Sequence, residues 1–266
     1  MNRHLEIYRY LFARPAFERF NRQLVLMGLK GLGVLNFQNS DVSGERHFLN
    51  HLLAGKQRPV CLDVGANQGD YAQLAMDANA EVELHCFEPH PLTYARLGNR
   101  FAGRDTVHLQ NSGCGSEPGE LQLFDYANED GSSHASLHRG VIERLRGQDV
   151  VSHRVPVIRV DDYVEANQIN SIDLLKIDTE GHELAVLKGA RTSLRAGRVH
   201  CIHLEFNEMN AISHVHFLDI FDILSNYRLY RLLPRGMIEI KQYSALFCEI
   251  FAFQNIVAFR REPGTT

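Results

Sequence analysis

Apolar positions in the first 29 residues fall at helical spacing: Leu5, Tyr8, Leu11 and Phe12, then Phe17, Phe20, Leu24 and Met27. The spacing predicts two helices over 4–29, the second started by Pro15 and ended by Gly28, Gly31 and Gly33. A further short helix is predicted from Gly44 to Leu53, with Phe48, Leu49, Leu52 and Leu53 on one face, closed by Gly55 and Pro59. These elements make 1–57 a helical extension ahead of a main domain over 58–262.

From Pro59 the pattern changes to short apolar runs separated by helix-like segments, the rhythm of βαβ units. Strands are predicted near 60–64, 82–87, 106–110, 172–178 and 200–206, and helices near 69–79, 90–101, 182–196 and 213–226. Two late runs, 227–233 and 254–260, read as further strands whose connection, with Pro234 and Gly236, suits an antiparallel pair. The predicted fold is α/β: a doubly wound, mostly parallel, seven-stranded sheet carrying an N-terminal helical extension. Between Leu121 and Val157 the rhythm breaks into a strand at 121–125, a turn at Gly131–Ser133, a polar helix and a strand at 155–160. Such an insertion is where a substrate loop is expected.

Composition narrows the function classes. With 44% hydrophobic and 23% charged residues in 266, the chain is an ordinary globular protein with enough length for one large α/β domain. A net charge of -4 without a polybasic run leaves no footprint for nucleic acid. The cysteines, Cys61, Cys86, Cys114, Cys201 and Cys248, never form a Cys-x-x-Cys pair, so neither a zinc knuckle nor a disulfide framework is expected. They read as small buried hydrophobes in a reducing cytosol, and the expected location is cytoplasmic. The first residues are polar and show no signal-peptide core. Leu24–Leu35, interrupted by Lys30 and glycines, falls short of the ~20 apolar residues that cross a bilayer, so it reads as a docking helix and its turn. Peripheral membrane contact and a homo-oligomer stay open.

The chemistry is concentrated in VCLDVGANQGDY, 60–71, where an apolar strand ends at Asp63 and is followed by Gly65, Asn67 and Gly69 before a helix. Glycines there let the backbone bend sharply, and ligands of open α/β sheets bind at the carboxyl ends of strands where the winding reverses. Asp63 would repel a pyrophosphate but suits a ligand with a cationic amino group and a sulfonium. The second strand ends in CFEP, which places Glu88 to accept hydrogen bonds from ribose hydroxyls. Together these features fit S-adenosylmethionine. The plainer readings are ordinary turn glycines and a solvated glutamate at a helix start. A nicotinamide-dependent oxidoreductase is a rival on a related sheet, disfavoured by the missing G-x-G-x-x-G; a non-catalytic cofactor-binding module is another.

LDVGANQGDY, then CFEPHP, then LLKIDTEGHELAVLKGA, in this order and spacing, resembles the FkbM-type methyltransferase family over about 58–206, and SGERHFLNHLL upstream is similar too. The resemblance implies a Rossmann-like, class I S-adenosylmethionine-dependent enzyme that methylates hydroxyl groups, often on sugars or polyketide-derived molecules. It assigns Asp63, Gly65, Asn67 and Gly69 to the methionine portion, Glu88 to ribose, and Asn111, Ser112 and Gly113 to adenine. His182 stands where a small residue is more usual, and NSGCG, 111–115, departs from the family pattern.

Methyl transfer to oxygen is an in-line displacement, so the site must align the reacting atoms and take up a proton. Asp178, Glu180 and His182, with Glu205 at the end of the fifth strand, are the candidates. Asp178 is expected to orient the acceptor hydroxyl and His182 or Glu180 to remove its proton, imidazole titrating near neutrality. Stabilisation of a helix N-terminus explains Glu180 and Glu183 as an alternative. Asp178, Glu180 and Glu205 could also hold a divalent metal against a substrate diol, although no spacing requires it. The acceptor is expected to be a small molecule or glycan, met partly by the polar loop GSSHAS, 131–136.

Overall fold

The computed structural model describes residues 3–126, 136–137 and 149–262. The extension begins with helices α1 (Arg3–Phe12) and α2 (Glu18–Gly31), separated by a tight turn at Pro15–Phe17, and continues through α3 (Ser40–Ser43) and α4 (Glu45–Leu53). Neither α1 nor α2 buries a residue, whereas α4 buries Phe48, Leu49 and Leu53. Asn39 starts α3 by accepting from the Asp41 and Val42 amides.

The alternating units that follow are β1 (Val60–Val64), α5 (Asp70–Ala78), β2 (Glu83–Phe87), α6 (Pro91–Arg100), β3 (Val107–Gln110), β4 (Gly113–Cys114), β5 (Gly119–Tyr126), β6 (Val150–Ile158), α7 (Val160–Ala166) and β7 (Leu174–Ile177). The chain then runs through α8 (Glu183–Gly189), α9 (Arg191–Arg195), β8 (Cys201–Phe206), α10 (Met209–Ser213), α11 (Phe217–Ile223), β9 (Tyr227–Leu233), β10 (Gly236–Ile240), α12 (Ala245–Cys248) and β11 (Gln254–Arg260).

The central sheet has the order β10-β9-β11-β8-β7-β1-β2-β3. Its β8-β7-β1-β2-β3 half is parallel and its β10-β9-β11-β8 half antiparallel. The mostly parallel, doubly wound sheet expected from the sequence is therefore present, with an eighth strand. Gly236 at φ 132 turns the chain after Pro234 and Arg235, so β10 folds back as an edge hairpin on β9. The β9 and β11 runs do pair antiparallel, with β11 inserted between β9 and β8.

The inner strands β1, β7 and β8 are buried on both faces, which is why they read as largely apolar runs. In β1, Leu62 and Val64 enter one core with Phe87, Val186 and Ile202, while Cys61 enters the other with Phe48, Leu49 and Ala72. All five cysteines are buried and unpaired.

The remaining departures are local. The segment predicted as one helix over 182–196 splits into α8 and α9: Asp161 accepts from the Thr192 and Ser193 amides at 2.8 Å each, giving α9 its own start. The helix predicted over 213–226 is shorter, because His214 adopts φ 57 and ends α10, and the Phe217 and Leu218 amides are received by Glu249. Helix α7 was not visible as a separate pattern. In the 121–157 insertion, β5 and β6 pair antiparallel and β6 also pairs parallel with β4, making a three-stranded second sheet. The polar helix predicted there, and Gly131–Ala135 of the polar loop, lie outside the described residues.

Candidate functional site

The winding reverses between β1 and β7, and their carboxyl ends meet closely. Gly65 adopts φ 85, and a Cβ there would stand 1.8 Å from the Asp178 carbonyl oxygen, so glycine is required by the neighbouring strand end itself. Gly69, also at φ 85, starts α5; a Cβ on it would strike Phe101 at 2.3 Å. Gly69 thus shapes the turn from behind and does not line the cavity beside it.

That cavity, of about 610 Å³, opens over the strand ends. Of the residues singled out in the sequence, Gly65, Asn67, Glu88, Gly113, Asp178, Glu180, His182 and Glu205 line it. Asp63, Asn111 and Ser112 do not line it. The Glu88 carboxylate ties two turns together: Oε2 accepts from the Asn67 amide at 2.9 Å and Oε1 from the His90 amide at 2.7 Å. Asn111 donates to the Glu88 and Pro89 carbonyls at 2.8 and 3.3 Å, so it braces that corner. Burial lifts the Glu88 carboxyl to about 7, against the pull of these amides. Asp63 is also buried; burial, offset by Lys176 and reinforced by Asp178 and Glu45, pushes it up to about 7. Asp63 Oδ2 and Ser112 Oγ have no hydrogen-bond partner among the described residues.

On the other side, residues 178–182 form a tight loop between β7 and α8. Glu183 rivets it: Oε1 accepts from the Thr179 amide, the Thr179 hydroxyl and the Gly181 amide at 3.1, 3.1 and 3.0 Å, and Oε2 accepts from Asn210 Nδ2 at 2.8 Å. Glu183 therefore serves its own loop and is absent from the cavity wall. Glu180 sits at φ 51, and its carbonyl receives the Ser136 hydroxyl at 2.7 Å, fastening the second sheet to this loop. The His182 ring lies towards β4, its Nε2 3.3 Å from where a Gly115 Cβ would stand. Glu205 Oε1 accepts from Asn207 Nδ2 at 2.6 Å. Burial, together with the Asp178 and Glu180 charges, holds the Glu205 carboxyl well above the usual range, with Lys176 and Asn207 opposing.

A polar row that no contiguous motif announces adjoins these acids. Strand register sets Asp63 opposite Lys176 and Lys176 opposite His203, on the α5 side of the sheet. Lys176 Nζ lies 3.4 Å from Asp178 Oδ2 and 5.2 Å over the Tyr71 ring, and Tyr71 shares a 2.7 Å hydrogen bond with His203 Nδ1. Burial works to discharge Lys176, but the Asp178, Glu45, Glu205 and Asp63 carboxylates win and raise its pKa above the ordinary lysine value. Burial and the same ammonium hold His203 well below its usual range, hence neutral. One signal was available: a lysine inside the apolar run LLKI is rarely buried without partners. Phe37 and Phe253, which meet edge-on at 6.0 Å on the cavity rim, carried no such signal.

The arrangement fits a ligand with a cationic centre and an apolar flat end. Glu88, Asp178, Glu180 and Glu205 put carboxylates on the cavity wall, and Pro89, Gly113, Cys114 and Leu123 put apolar surface there. Among the described residues, the group of three potential metal ligands close enough for one ion is Glu83, His85 and His108, at the opposite end of β2 and β3. Asp178, Glu180 and Glu205 line the cavity without forming such a cluster.

The model of the methyltransferase FkbM domain matches residues 63–232. The chain is similar to the 2-O-methyltransferase NoeI of Sinorhizobium fredii, 26% identical over 70% of this chain and 79% of that protein. It is similar to the hexuronic acid methyltransferase AglP of Haloferax volcanii, 28% identical over 59% of this chain and 60% of that one. With the 31-O-demethyl-FK506 methyltransferase FkbM of Streptomyces tacrolimicus it shares 27% identity over 59% of this chain and 69% of the relative. These matches decide against the nicotinamide reading. The chain belongs to the FkbM methyltransferase family and is an S-adenosylmethionine-dependent methyltransferase.

Proposed function

We propose that this enzyme methylates a hydroxyl group of a carbohydrate or another small hydroxylated molecule. The observation that carries the reading is one cavity in which the β1 turn and Glu88 adjoin the acids Asp178, Glu180 and Glu205. The relatives, a 2-O-methyltransferase and a hexuronic acid methyltransferase among them, support an oxygen acceptor on a sugar.

S-adenosylmethionine, when bound, supplies an electrophilic methyl group on a sulfonium. Gly65 and Asn67 would hold its amino-acid end with the Asp63 charge behind them, Glu88 its ribose hydroxyls, and the apolar surface at Pro89, Gly113 and Leu123 its adenine. Gly69, Asn111 and Ser112 support that cradle from outside the wall. On the acceptor side, Asp178 is fixed by the Lys176 ammonium and orients the hydroxyl. Glu205 takes the proton from its ionised form, in which burial and like charge raise its proton affinity and Lys176 and Asn207 favour the charge. His182, turned towards β4, and Glu180 flank the acceptor.

Incubation with methyl-labelled donor and a panel of hexoses, uronic acids and polyols tests the reading. Label in an alkali-stable methyl ether supports it, and label confined to nitrogen or sulfur acceptors overturns it. Glu205→Gln should lower kcat about 10²–10⁴-fold while the donor Kd changes less than about threefold. An unimpaired kcat would move the proton acceptor to His182 or Glu180.

A further inference from the structure

The α1–α2 hairpin buries none of its residues, yet between Leu5 and Met27 it carries ten of the seventeen large hydrophobic side chains exposed among the described residues. The hairpin corner is organised internally. Phe12 packs against Tyr8, Phe17 and Phe20 with ring centroids 5.0, 5.1 and 5.7 Å apart. Asn21 donates to the Phe12 carbonyl at 3.0 Å and receives the Tyr8 hydroxyl. What remains uncovered are Leu5, Ile7, Tyr10 and Leu11 on α1 and Leu24–Met27, four consecutive apolar residues that wrap around the second half of α2. Soluble proteins rarely leave so much apolar surface in one place without a partner for it.

Charge identifies the partner. Arg3, Arg9, Arg14, Arg19, Arg22 and Lys30 stand against only Glu6 and Glu18, a basic surplus within a chain of net charge -4. Two copies joined through this face would press two basic surfaces together. A lipid surface with anionic headgroups satisfies both features at once, phosphates meeting the arginines and the acyl boundary receiving the leucine, valine, methionine and phenylalanine side chains. We propose that the α1–α2 hairpin docks on an anionic phospholipid bilayer, lying in its interface. Spanning is not involved, since no described helix is long and apolar enough to cross a membrane.

The link to the body is short and fastened. Val34 bridges to Gln254, the Leu35 amide donates to the Phe253 carbonyl at 2.8 Å, and Leu35 and Phe37 line the cavity. Docking would therefore set the cavity mouth close to the lipid surface.

Sedimentation of the full chain with vesicles tests this, comparing phosphatidylcholine alone with phosphatidylcholine containing about 30% phosphatidylglycerol. Binding is expected on the anionic vesicles only, weakened at about 0.5 M NaCl. The double variant Val25→Asp, Met27→Asp should lower partitioning at least about tenfold, with its melting temperature and donor binding unchanged to certify the fold. Arg19→Ala with Arg22→Ala should weaken anionic binding in the same direction. Failure of the wild-type chain to sediment with anionic vesicles overturns the proposal. So does a dimer, seen by light scattering, that the double aspartate variant dissociates, since a second copy would then cover the face.

Discussion

Asp63 and Glu88 carry the sharpest consequences of single residues. Both carboxyls are pushed up to about 7, first of all by burial, so near neutrality each is divided between its acid and its carboxylate. Only the carboxylates attract an ammonium or accept from two ribose hydroxyls, so donor binding expels protons wherever these groups are still protonated. The donor Kd should therefore fall as pH rises from about 5.5 to 8, by up to tenfold per unit for each proton released, with no further gain once both are ionised. Calorimetry in buffers of different ionisation heat counts the protons; a pH-independent Kd with no proton release contradicts the assignment. The stability of the ligand-free protein has the opposite slope. A raised folded-state pKa gives stability that is fully present below the unfolded value, near 3.8 for Asp63, and lost as pH rises through about 7. Asp63→Asn should flatten that decline and remove one proton from the binding count.

Among the elements, the loop between β7 and α8 depends most on one side chain. Glu183 receives three donors of the loop and one from Asn210, and it is itself buried. Glu183→Ala strands those donors, which at about 1–3 kcal/mol for an unsatisfied buried group predicts a melting temperature lower by about 2–12 °C. Activity should fall through kcat, because Asp178, Glu180 and His182 lie on this loop, while the donor Kd moves little. A variant that loses donor affinity and turnover in equal proportion would show instead that the whole strand end had collapsed. Such local devices are partly legible in sequence. The β1 turn, Glu88 and the KIDTEGHE run each lie within a dozen residues and announce themselves through glycines, acids and an apolar strand. The Asp63–Lys176–His203 row is not contiguous: it exists only once three strands are in register, and nothing in LLKI or HLEF alone says which face each side chain takes. The second sheet was hidden for the same reason, since β4 is two residues long and pairs with a strand more than forty residues later.

For the molecule as a whole, the parts that complete the cavity come from the two ends of the chain. The central strands supply the acids, and Leu35 and Phe37 before β1 and Phe253 before β11 complete the wall. Gly33 makes the crossing possible, for a Cβ there would meet the Leu232 carbonyl at 2.2 Å, and φ 84 suits glycine. Phe37 is 60% exposed and stands edge-on to Phe253, so its ring offers an apolar face beside polar groups, the combination a sugar ring recognises. Phe37→Ala removes that face without touching the donor cradle at Gly65, Asn67 and Glu88. The acceptor KM should rise about tenfold, with kcat at saturating acceptor and the donor Kd within about twofold of the wild type. Phe37→Tyr should restore most of the affinity, since the stacking surface returns. If Phe37→Ala instead weakens donor binding and leaves the acceptor KM unchanged, Phe37 belongs to the donor site, and the acceptor enters past the second sheet, where Leu123 and Leu137 also line the cavity.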